Sequence, residues 1–202
     1  MEHMAISDPK TELHSYLQEA RAALLWKLDG LSEYDARRPL TPTGTNLLGL
    51  VKHLTAMELG YFGDTFGRPV NNAPTWSTPE VMLAEPNIDM WATADESREY
   101  ITRWYEDACG HADVTITVLD LDSTGHVPWW TPGRNEVTLH RILAHMVAET
   151  QRHAGHADIV RELIDGGAGL SPANANLAEG DPAWWAGYRD RVEQAARAAG
   201  GI

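Results

Sequence analysis

Apolar residues recur every three or four positions along four long stretches of this chain, and strand-like alternation is almost absent. The first stretch covers about residues 9–31, with Leu13, Leu17, Ala20, Leu24, Leu28 and Leu31 on one face. Ser7 or Asp8 can cap it, and Pro9 suits its first turn. The second opens near Thr45 or Asn46 and reaches about Phe66, with Leu47, Leu50, His53 or Leu54, Met57 and Tyr61 facing inward. The third starts near Asp95, with Thr93 as a cap, and continues to about Leu119. Residues 115–118 read locally as a strand, but a lone strand has nothing to pair with, so helix is the consistent reading. The fourth runs over about residues 138–165 and stops on Gly166-Gly167. An Asn- and Pro-rich stretch over 67–92 and a loop over 122–135 separate these helices. The sequence therefore predicts an all-α four-helix bundle over residues 1–166. A C-terminal appendage over 167–202 adds a linker and a short helix, near residues 182–199, packing on the bundle.

One inner stripe is not apolar throughout. Ile142, Met146, Glu149, His153, His156, Val160 and Leu163 follow a 4-3-4-3-4-3 spacing, which places them on one helix face. An unpartnered carboxylate on a core face costs several kcal/mol, on the order of what a domain has to spare. A divalent metal ion accounts for the group, because it neutralises the carboxylate and takes imidazole lone pairs. Glu149 and His153, at i and i+4, can both reach one ion. His53, on the inner stripe of the second helix, is the best third ligand, and three ligands leave a position open for substrate. The competing reading is a buried Glu149–His153 ion pair, with His53 a satisfied core histidine. His156 has three readings: ligand, partner of a ligand, or solvent-exposed residue. His145 reads as structural, and His3, His14, His111, His126 and His140 as surface or loop residues. The Trp129-Trp130 and Trp184-Trp185 pairs read as packing.

Several function classes drop out. The net charge of -13, from 29 acidic and 16 basic residues, leaves no basic stripe for nucleic acid and disfavours an anionic membrane. No stretch approaches 18 consecutive apolar residues, so no membrane span is expected. The polar residues 1–13 lack a signal-peptide apolar run, and the single cysteine, Cys109, suits a reducing compartment; the expectation is a cytoplasmic protein. Cys109 also has no basic neighbour in sequence to activate it. No phosphate-binding glycine loop or nucleophile elbow is present.

Residues 138–166, TLHRILAHMVAETQRHAGHADIVRELIDG, resemble the last bundle helix of the DinB-like superfamily of metalloenzymes. The His53-Leu54…Glu58 pattern within residues 48–62 resembles that superfamily's second helix, and the Val127-Pro128-Trp129-Trp130 loop agrees. The resemblance implies a bundle of up-down-down-up connectivity. It also implies a divalent metal, zinc or nickel, on His53 and on a pair from the last helix. The superfamily usually has His-x-x-x-His there; this chain has Glu149 and His153, as does the mycothiol-dependent maleylpyruvate isomerase branch. The resemblance further implies a transferase or isomerase that uses a low-molecular-weight thiol, such as mycothiol or bacillithiol, with an electrophilic substrate. The metal would hold the thiol as a thiolate, His156 or a water would move protons as the catalytic group, and the 67–92 stretch would shape the electrophile pocket. Dimerisation through bundle faces is common in the superfamily, so a homodimer is a further expectation. The alternative is a non-catalytic protein: a metal-stabilised bundle, or a damage-responsive scaffold or binding protein.

Overall fold

The computed structural model describes residues 8–202, so Ser7 and His3 lie outside the described residues. Helix α1 (Pro9–Trp26) starts as the sequence implies: Asp8 accepts a hydrogen bond from the Thr11 amide, and Pro9 fills the first turn. It ends earlier than expected, in a turn at 27–30 closed by Gly30 at φ 72°. A short helix α2 (Glu33–Arg37), capped by Ser32, follows. Helix α3 (Leu47–Glu58) is capped by Asn46, then continues through a π-helical turn (Leu59–Gly63) and a 3-10 turn (Asp64–Phe66), reaching Phe66 as predicted.

The 67–92 stretch contains two more 3-10 turns, Thr75–Ser77 and Ile88–Met90, and a short helix α4 (Pro79–Ala84). Helix α5 (Arg98–Val118) begins later than the Thr93 cap would have it, on Ser97. The Glu96 carboxylate accepts from both the Thr93 amide and the Lys52 ammonium, which holds that segment in a turn rather than a first helical turn. Residues 115–118 are helical, as read. The loop before the last bundle helix holds a hairpin the sequence did not suggest: β1 (Thr124–His126) pairs antiparallel with β2 (Glu136–Thr138), Gly125 opposite Val137. Gly125 lies so close to the Thr65 carbonyl and the Phe66 ring that a side chain there would collide, so the hairpin is seated on the end of the α3 segment. Helix α6 (Leu139–Asp165) is capped by Thr138 and ends on Gly166 at φ 83°.

Side-chain ties along the helices define the connectivity. Lys10 reaches carbonyls at the end of α5, and Arg98 at its start reaches Leu28 and Leu31, so α1 and α5 are antiparallel. Leu17 packs with Leu139 and Ile142 whereas Lys27 pairs with Asp158, so α1 and α6 are parallel. Lys52 meets Glu96 and Arg68 meets Thr115, so α3 and α5 run together. The result is the up-down-down-up bundle, mainly α-helical apart from the small hairpin. At its centre Arg21 forms a bidentate pair with the fully buried Glu58, at 2.8 and 2.6 Å, and also reaches Asp113 at 2.6 Å. Beyond the bundle, the Gly169 carbonyl accepts from Trp26, and helix α7 (Pro182–Gly200) follows with no buried residue.

Candidate metal centre

The buried face of α6 drifts away from the seven-residue spacing. Ile142, Met146, His153 and Val160 are buried, but Leu163 is 63% exposed, and Ala157 and Arg161 turn inward instead. An α-helix slips by about 20° per seven residues against a strict 3.5 repeat, so three heptads rotate Leu163 off the face. Glu149 and His156 lie on the edge of the stripe for the same reason, Glu149 half-buried and His156 exposed.

His53 of α3 and Glu149 and His153 of α6 converge, with one donor atom from each lying within 4.8 Å of the others. Glu149 Oε1 is 3.1 Å from His153 Nε2 and 3.6 Å from His53 Nε2, so both imidazoles aim a nitrogen at one carboxylate oxygen. The two rings meet edge to face at 4.9 Å. The three side chains remain 15%, 25% and 11% exposed, which leaves the cluster open on one side.

A fourth residue, Asp89, sets the geometry. Its buried carboxylate lies 2.6 Å from His53 Nδ1, which turns Nε2 toward Glu149. Asp89 belongs to the 3-10 turn Ile88–Met90, and three α3 residues hold that region down. The Asn46 side chain caps α3 and also donates to the Met90 carbonyl; Lys52 donates to the Trp91 carbonyl and Glu96; His53 takes Asp89. No sequence periodicity identifies Asp89, because it lies in an irregular segment 36 residues from its partner.

The electrostatics follow from these contacts. Burial alone would push His53 down, but Asp89 and Glu149 overcome it and raise its pKa to about 9. Glu149 is held down at about 2, chiefly by His53 with His153 adding, against the opposing effect of burial. His153 is lowered by burial and by the charge on His53. The two carboxylates, Asp89 and Glu149, thus face a single positive charge on His53. A divalent cation would balance both, and two imidazoles with one carboxylate form a donor set that suits zinc or nickel.

His156 is outside this cluster. Its Nδ1 lies 3.4 Å from His153 Nδ1, on the far side of that ring. His145 is also outside: its ring meets those of Tyr61 at 4.7 Å and Trp130 at 5.4 Å edge to face. Of the histidines read as surface or loop residues, His126 and His140 are exposed. His14 and His111 are half-buried, held by Asp113 at 2.7 Å and by the Arg68 carbonyl at 2.7 Å. Burial, then Glu58, pushes the Cys109 thiol well up, which disfavours its thiolate. Trp129 is less packed than its sequence reading suggests: 43% exposed, it stands between two cavities. One, of about 420 Å³, is apolar and lined by Met57, Gly60, Met82 and Leu83. The other, of about 630 Å³, is lined by Trp130, Arg134, Arg141 and His145.

A search of curated proteins finds no match. Among solved structures, the conserved protein of a locus from Enterococcus faecalis is similar at 16% identity. The match covers 80% of this chain and 99% of that one, with a TM-score of 0.53, a likeness of fold alone. A family model described as mycothiol-S-transferase matches residues 12–166, a span that holds all four bundle helices and the His53, Glu149 and His153 cluster, apart from the first three residues of α1. The chain belongs to this mycothiol-S-transferase family, one of the DinB-like families of helical bundles.

Proposed function

We propose that this chain is a metal-dependent thiol transferase that joins the sulfur of mycothiol to a small electrophile, with zinc or nickel held by His53, Glu149 and His153. The observation that carries this reading is the convergence of those three donors from two helices at a partly exposed position. A bound divalent ion supplies a lowered thiol pKa, so that the sulfur attacks as a thiolate at neutral pH. Asp89 accepts the Nδ1 proton of His53 and leaves Nε2 as a lone pair toward the ligand position. His156 does the same for His153 through the Nδ1 contact. With Nδ1 taken up by that contact, a neutral His156 carries its own proton on Nε2, so the thiol proton leaves through a water.

The test is elemental analysis of the purified protein beside His153→Ala, with conjugation of mycothiol to 1-chloro-2,4-dinitrobenzene assayed on both. About one equivalent of metal and a mycothiol-dependent rate, both lost in the variant, are expected. Full metal retention in His153→Ala would remove the ligand assignment. A metal-loaded wild type with no rate above the uncatalysed reaction would remove the transferase reading.

A further inference from the structure

The second cavity has a chemistry that the thiol does not require. Arg134 and Arg141 both line it, Trp129 and Trp130 form its flat walls, and neither arginine is salt-bridged to a carboxylate among the described residues. The Arg141 guanidinium lies over the Trp130 ring at 4.9 Å and donates to the Arg134 carbonyl at 3.2 Å, so it is held in place by the cavity wall. Two uncompensated guanidiniums in one cavity stand out in a chain whose net charge of -13 repels anions from the surface as a whole. His145 lines the same cavity, four residues before Glu149 and about 6 Å from it along α6.

Resting on the thiol-transfer reading, we propose that the electrophile is a planar carboxylate-bearing compound, its carboxylate held by Arg134 and Arg141 between the tryptophans. Guanidinium forks match a carboxylate in a bidentate manner, and indole faces favour a flat conjugated group beside it. With an aryl chloride carrying a carboxylate, the thiolate sulfur forms a C–S bond as the C–Cl bond breaks. Chloride leaves and the thiol proton goes to solvent.

The experiment uses the zinc-loaded full chain and calorimetric titration with benzoate, benzamide and phenyl phosphate. Benzoate is expected to bind at least roughly tenfold more tightly than benzamide, and Arg134→Gln and Arg141→Gln each to lose about tenfold in benzoate affinity with zinc content unchanged. Equal affinities for benzoate and benzamide, preference for phenyl phosphate, or undiminished benzoate binding in both variants would overturn the assignment. In the kinetic arm, Arg141→Gln should raise the KM for 4-chloro-3-nitrobenzoate and leave that for mycothiol unchanged. A raised mycothiol KM instead would place the anion on the thiol and overturn the proposal. A protein that shows the benzoate preference and its loss in the variants, yet conjugates no thiol, would support the carboxylate site while removing the transferase reading.

Discussion

His53 can offer only one ring nitrogen to an ion, and Asp89 decides which. The pair at 2.6 Å is part of the centre although Asp89 donates nothing to the ligand position itself. Asp89→Asn keeps an acceptor for Nδ1 but removes the charge that makes the imidazole basic. Zinc affinity should fall by roughly 10- to 100-fold, measured by competition with a chelating dye, while the helical content stays as in the wild type. An unchanged affinity would mean that His53 is not a ligand or that its orientation has another source. Arg21 matters for a different reason. Its two bonds to Glu58 compensate a carboxylate with no exposure at all, so Arg21→Ala leaves a buried charge unpaired. The loss should be about 3–5 kcal/mol in urea denaturation, with metal stoichiometry unaffected in the folded fraction. Glu58 was visible in the sequence as part of the His53-to-Glu58 pattern, yet its partner was not, because Arg21 sits 37 residues away on another helix.

Between the residue and the bundle, α3 acts as a docking rail. Asn46, Lys52 and His53 each catch a different group of the 89–96 segment, and Gly49 lets its backbone come close. A side chain at Gly49 would run into the Met90 carbonyl, which is backbone and cannot swing aside. Gly49→Ala is therefore expected to move the Asp89 turn off α3 and weaken metal binding without touching a ligand. Comparing zinc affinity and the hydrogen exchange of the Ile88 and Asp89 amides checks this; wild-type values for both would show that the turn adapts. The 67–92 stretch contributes Ser77, Pro79, Met82 and Leu83 to a cavity beside α3. That it also supplies a buried carboxylate to His53 is a property of how the loop is seated, to which helical periodicity is blind. The hairpin of β1 and β2 was equally hidden: three-residue strands leave too short a pattern to register, and what holds them is contact with the Thr65–Phe66 turn.

For the whole molecule, the centre joins two antiparallel helices, α3 and α6, so an ion there cross-links the bundle. Ligand bound only by the native state stabilises it by linkage, about 2.7 kcal/mol when free metal is 100 times its Kd. Thermal unfolding should shift upward with added zinc in the wild type and stay fixed in His153→Ala. A zinc-independent melting temperature in the wild type would show that no ion bridges these helices. Among the described residues no helix is long and apolar enough to cross a membrane, as hydropathy predicted.

Helix type, order and approximate extent were written in the spacing of apolar residues, because burying one face of a 3.6-residue repeat leaves a local pattern. Glu149 and His153 stood out for the same reason, as charges where that pattern calls for apolar groups, and His53 as a polar interruption on α3. The tertiary structure alone brought His53 to within 3.6 Å of Glu149 and seated Asp89 behind it. Those pairings join residues far apart in the chain. Packing of separate elements determines them, and no single stretch of sequence carries a record of its distant partner.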